Sequence, residues 1–210
     1  MRIRVVYEKR DGLRYTSALD VQRIWERSFR RADIDLIYTQ GFHPHPKMQI
    51  ALPLPLGYIS SAEILDIWIE DSQAPNLIKK SLTKYLPNGI YIKKILPIDN
   101  SEPPLVNRIE SANYFVELLN KKIQFDQIQE KVSLLFKKEL ILRTRRKKVY
   151  DLRPLILDLE VNLNEDSVCS LKMVLLSEPG KTGRPDEVLD ELGINLTDCV
   201  ITRTAVKIKN

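Results

Sequence analysis

The sequence predicts an α+β protein of two tandem units, each running strand–helix–strand–strand–helix–strand with an antiparallel sheet. Three observations predict it. Stretches with a period of two alternate with stretches of helical period. That order occurs once before residue 100 and again after it. Between the two lies one polar, proline-containing segment, Asn100-Ser101-Glu102-Pro103-Pro104, which reads as a linker. The units are accordingly set at residues 1–99 and 105–210.

Residues 2–9 alternate as a strand, with Ile3, Val5 and Tyr7 on one side and Arg4, Val6 and Glu8 on the other. Asp11-Gly12 signals a turn, and Ser17 and Asp20 have the spacing of a capping box. The spacing predicts a helix over 19–33 with Val21, Ile24, Trp25, Ser28 and Ala32 as its buried stripe. Residues 48–54 read as a strand interrupted by prolines, and 63–71 alternate cleanly. A short helix over 75–86 ends at Pro87-Asn88-Gly89, and a strand follows over 90–98. In the second half, strands are expected at 112–119, 152–162, 167–177 and 200–209. Helices are expected at 125–138 and 184–192, the latter with Pro185 in its first turn. Two such units in tandem are the architecture of a duplicated ferredoxin-like fold, a name that describes topology and implies no iron.

Residues 38–57 concentrate the unusual chemistry. They hold both histidines of the chain, two of its seven glycines and four of its twelve prolines. Prolines bias the residues before them towards extended geometry. The segment Phe42-His43-Pro44-His45-Pro46-Lys47 is therefore expected to be an ordered, extended loop with both imidazoles pointing the same way. Phe42, His43, His45 and Lys47 are candidate binding residues.

Thirty-three Lys and Arg against 28 Asp and Glu give a formal charge of +5. Such an excess favours a polyanionic partner only where it is clustered. One cluster is Arg23, Arg27, Arg30 and Arg31 on the first helix, opposite its apolar stripe, where guanidinium groups suit phosphate. The other is Arg143, Arg145, Arg146, Lys147 and Lys148 within residues 140–150, read as a hairpin arm that would track phosphates. Both clusters also fit a plainly solvated surface. The aromatic signature of an RNA recognition motif is missing from the strands.

Other chemistries find less support. Gly180-Lys181-Thr182 resembles the end of a P-loop, but Leu175 stands where that motif needs its first glycine. Two histidines do not make a metal site, and Asp20, Glu63 or Asp66 would have to complete one. No metal or cofactor is expected. Acid–base catalysis by His43 and His45, as in a small metal-independent endoribonuclease, is the enzymatic alternative. Cys169 and Cys199 read as buried free thiols in strands. No apolar run reaches the roughly 18 residues of a membrane span, and residues 1–10 lack the apolar stretch of a signal peptide. The expected setting is the cytoplasm, away from membranes.

Four stretches together resemble the radical-SAM-linked domain family, a bacterial domain of unknown function. They are Arg14-Tyr15-Thr16-Ser17-Ala18-Leu19-Asp20, the arginines that follow, Thr39 to Lys47, and Ala51-Leu52-Pro53-Leu54-Pro55-Leu56-Gly57. The match is specific over about residues 1–70, and the closing Arg184-Pro185-Asp186-Glu187-Val188-Leu189 segment agrees with it. Ala18 departs from it, because the family commonly has histidine there. That departure weakens a metal or catalytic reading of His43 and His45. The resemblance implies a non-catalytic accessory module beside a radical SAM protein. Two cysteines thirty residues apart cannot supply the usual three-cysteine cluster motif. The function expected is thus binding of RNA or another anionic substrate for that partner, and a protein-interaction scaffold without nucleic acid is a further alternative.

Overall fold

The computed structural model describes residues 1–70, 74–119, 124–145, 147–163 and 168–209. It is a mixed α+β protein with mostly antiparallel strand pairing. The chain divides into two compact units, Met1–Ile109 and Glu110–Asn210.

The first unit runs β1 (Arg2–Lys9), α1 (Ala18–Arg31), β2 (Met48–Ile50), β3 (Ile59–Trp68), α2 (Pro75–Thr83) and β4 (Ile90–Ile98). β1 pairs antiparallel with both β3 and β4, and β2 pairs antiparallel with β3. The order across the sheet is therefore β2-β3-β1-β4, with the first strand inside. Ile3, Val5 and Tyr7 pack with Val21, Trp25 and Phe29 of α1 and with Ile78 and Leu82 of α2. The Tyr7 and Trp25 rings meet edge to face at 4.9 Å. Phe29, fully buried, also belongs to the stripe, four residues after Trp25, although the expected stripe omits it.

The other face of β1 is not simply solvated. Arg2 and Arg4 are buried, and both donate to Asp66 on the adjacent β3, which is fully buried. Arg2 also donates to the carbonyls of Glu102 at 2.8 Å and Pro103 at 3.2 Å. The polar segment 100–104 is thereby tied to β1, and Leu105 just beyond it is buried.

The second unit runs β5 (Ile109–Leu118), α3 (Phe125–Lys137), β6 (Leu142–Arg145), β7 (Lys148–Asp151), β8 (Ile156–Leu163), β9 (Cys169–Glu178), β10 (Lys181–Thr182), α4 (Pro185–Glu191) and β11 (Cys199–Ile208). β9 pairs antiparallel with β5, β8 and β10, and β11 lies on the other side of β5. β6 and β7 form a separate hairpin. The Gly180-Lys181-Thr182 stretch is the turn and return strand β10 on β9, with Gly180 at φ 79°. Cys169 is buried, whereas Cys199 is left half-buried.

Several expected elements differ in extent, and β5 begins at Ile109 rather than 112 and β8 at Ile156 rather than 152. The strand over 48–54 stops at Ile50, since Pro53 and Pro55 have no N–H for a ladder. β3 begins at Ile59, before the alternation starts, because pairing with β1 carries it back as far as Ser60 opposite Lys9. The helix over 75–86 leaves regular geometry after Thr83, although Tyr85 and Leu86 still donate to the Leu82 carbonyl. Asp71, expected to close a strand, lies outside the described residues.

Candidate functional site

α1 starts at a capping box. The Ser17 hydroxyl accepts from the Asp20 N–H at 3.2 Å, and the Asp20 carboxylate accepts from the Ser17 N–H at 3.3 Å. The Ser17 hydroxyl also donates to the Asp20 carboxylate at 2.6 Å, and that bond, with the Ser17 N–H after it, holds the Asp20 carboxyl below its ordinary range. Its C-terminal end carries Arg30 and Arg31 in the last turn, where cations suit the helix dipole.

Helix spacing then sorts the four arginines. Arg23 pairs with Asp20 three residues back at 3.4 Å, and Arg30 pairs with Glu26 four back at 2.8 Å. Arg27 and Arg31 have no acid three or four residues away within the helix. Both are exposed, and among the described residues neither makes an ion pair. They open instead onto a concavity of about 370 Å³ lined also by Ile24, Ser28, Lys84, Tyr85, Leu86 and Pro87. Ser28, almost fully buried, donates to the Tyr85 carbonyl at 3.2 Å and so anchors the end of α2 against α1. That contact brings the exposed Lys84 beside the two arginines, and among the described residues no carboxylate lines the hollow. Sequence reading missed Lys84, because nothing local shows which helix end meets α1. That no acid stands three or four residues from Arg27 or Arg31 within the helix is legible in the sequence.

The histidine-containing segment departs from the expected straight run. Tyr38 bridges Pro46, the Thr39 N–H donates to the His45 carbonyl at 2.8 Å, and the His45 N–H donates to the Thr39 hydroxyl at 3.0 Å. Residues 38–46 thus form a narrow hairpin that bends over 40–43, with Gly41 at φ 138°. The bend, rather than an extended backbone, carries Phe42 and His43, whereas His45 lies in the returning arm of the hairpin. Phe42 is fully exposed, and His43 and His45 are exposed too. Among the described residues neither imidazole ring makes a hydrogen bond or ion pair, so no carboxylate orients either one for acid–base work.

At the hairpin's base the backbone is pinned. The Ile37 N–H donates to the Trp68 carbonyl at 2.9 Å and the Lys47 N–H to the Ile37 carbonyl at 2.7 Å. Lys47 Nζ sits 4.7 Å from the Trp68 ring centre, and Arg2 lies over the same ring at 5.0 Å. Arg30 connects helix to hairpin: the Tyr38 hydroxyl first, and Glu26 after it, push its guanidinium up from the ordinary value.

Asp20, Glu63 and Asp66 do not gather round the histidines. Asp20 caps α1 and Asp66 is held by Arg2 and Arg4. Among the described residues no group of three or more His, Cys, Asp or Glu could hold a metal ion.

The basic arm in the second unit is the β6–β7 hairpin, pairing Arg143 with Tyr150 and Arg145 with Lys148. Lys147 stands in the connection at φ 66°. Arg145 and Lys147 are exposed, while Arg146 lies outside the described residues. Arg143 is different. Its guanidinium donates to Asp190 at 2.5 Å and Glu191 at 2.6 Å, and Glu187 lies 3.8 Å from its Nε. Three acids of α4 neutralise it, so it is not a free phosphate ligand. Burial, and after it Glu187, pushes the Tyr150 hydroxyl up to about 12.

Among the described residues no helix is long and apolar enough to cross a membrane. No curated protein matches this sequence. Among solved structures, the first two RRM domains of the yeast poly(U) binding protein Pub1 match at 12% identity. That match covers 95% of this chain and 98% of the other, with a TM-score of 0.23. The pattern of one bacterial family matches residues 2–185, and the chain belongs to it: the family described as "Uncharacterized protein conserved in bacteria (DUF2344)".

Proposed function

We propose that the chain is a non-catalytic accessory module that holds RNA, or a comparably anionic substrate, for a radical SAM protein. The single observation that carries the binding part is the concavity where Arg27, Arg31 and Lys84 meet without a carboxylate among the described residues. Cations left unpaired on a rigid surface are what a phosphate backbone displaces counterions to reach. Arg30 and Tyr38 make the α1 end and the hairpin carrying Phe42, His43 and His45 neighbours, so both contribute to one surface. Of the basic arm, Arg145 and Lys147 are candidate contacts, and Arg143 serves to fix the arm on α4.

The radical SAM partner rests on the resemblance of residues 14–57 and on the lack of a three-cysteine cluster motif in this sequence. Each unit is read as ferredoxin-like, since β1 and β5 both lie between the third and last main strands of their own units.

Fluorescence anisotropy with a short single-stranded RNA tests the binding part. The parent should bind with a steep salt dependence, and Arg27→Ala with Arg31→Ala should flatten the slope by about 1.4 units, near 0.7 per lost contact. An unchanged slope would remove the concavity from the site. Anaerobic affinity purification tests the partner, which should be recovered with this chain and resist high-salt washing.

A further inference from the structure

The positive surface of the first unit does not stop at Lys84. A second hollow, of about 500 Å³, is lined by Asn76, Lys79, Lys80, Thr83 and Lys84 along α2. The two hollows share Lys84. Lys80 and Lys84 lie four residues apart, one helical turn, and both are exposed. Lys79 is partly committed, since its ammonium donates to the Lys93 carbonyl at 2.7 Å.

The composition of this stretch is one-sided. From Ala74 to Ile98 there are five lysines and no aspartate or glutamate. A helix surface serving only solubility would interleave both signs, because like charges at i, i+4 weaken a helix and opposite charges support it. α2 is nine residues long and has no acidic residue of its own to offset that repulsion. A bound polyanion removes it.

We infer that RNA runs along the helical side of the first unit, from Arg27 and Arg31 over Lys84 to Lys80. Successive phosphates would sit in the two hollows, and the exposed Tyr85 ring beside the first would offer one stacking surface. This deepens the RNA-binding reading above and rests on it. It also identifies the ligand class more narrowly. Contacts made by lysine and arginine to phosphate carry no base information, so recognition on this track is independent of sequence.

The test compares full-length variants binding a short mixed-sequence single-stranded RNA across a salt series. Lys80→Glu with Lys84→Glu should weaken binding at low salt by about tenfold or more and reduce the salt slope by about 1.4 units. Lys80→Gln with Lys84→Gln should give the same slope change with a smaller loss, which guards against damage from the reversed charges. Lys137→Glu with Lys172→Glu, two exposed lysines of the second unit, alters net charge equally and should have little effect. If the α2 variants bind like the parent while the Arg27/Arg31 variant does not, the track is wrong and the RNA reading stands. If the second-unit control loses as much as the α2 pair, binding follows net charge alone and the track is overturned. A parent that ignores RNA but binds vesicles of anionic lipid would overturn both the track and the reading beneath it.

Discussion

Arg27 and Arg143 both sit in stretches dense with positive charge, and both face outward from their elements. Arg27 finds no acid three or four residues away within its helix and opens onto a hollow shared with Arg31 and Lys84. Arg143 is gripped by Asp190 and Glu191, with Glu187 close by. The difference is one of reach. Acids that neutralise an arginine within a helix come from three or four residues away and can be read off the sequence. Those that neutralise Arg143 lie 47 and 48 residues away and arrive only with packing. Local charge density is therefore a fair guide to free cations on a helix and a poor one on a hairpin laid against another element. Arg2 and Arg4 extend the contrast: both share one buried carboxylate, Asp66, far off in sequence.

The largest expected effect comes from that buried cluster. Asp66→Ala leaves two arginines under cover without their counter-charge, and such breaks cost about 3–5 kcal/mol. Chemical denaturation should show a loss of that size. A loss under about 1 kcal/mol would mean that water reaches the guanidiniums freely.

Arg143→Ala sharpens the comparison directly. It removes charge-assisted hydrogen bonds at a half-buried site, worth about 1.5–3 kcal/mol in stability. RNA affinity should stay near the parent value, since this arginine is already neutralised. A sharp fall in affinity with stability intact would reverse the assignment of Arg143 as a tether.

The Arg27→Ala, Arg31→Ala pair should behave in the opposite sense. Stability should stay within about 0.5 kcal/mol, as for surface changes remote from packing. RNA affinity should drop about tenfold, near 1.4 kcal/mol. A matching drop in melting temperature would instead make these arginines structural.

The smallest effect appears only in alkali. Tyr150 in the folded chain titrates at about 12 against an ordinary 10.0. Its folded value is raised, so its contribution to stability is complete below about pH 10 and is lost as pH rises towards 12. Absorbance titration of the tyrosinate should show one fewer late-titrating group in Tyr150→Phe than in the parent. If the arm were free of α4, Tyr150 would ionise with the exposed tyrosines.

By itself the sequence determined the alternation of strand and helix, the Ser17 cap of α1 and the lack of acids three or four residues from Arg27 and Arg31 within α1. These depend on neighbours within about four residues, where spacing dictates geometry. The hairpin over 38–46 lay halfway: its glycine and prolines announced a constrained loop, but the bridge between Tyr38 and Pro46 bent it. Only tertiary structure decided that Lys84 completes the hollow, that Asp66 sits between Arg2 and Arg4, and that Arg143 is neutralised. Each of those depends on which distant carbonyl or carboxylate the packed core brings within hydrogen-bonding reach. A hydrophobic pattern says that a surface will be buried, but not which polar groups its burial will press together.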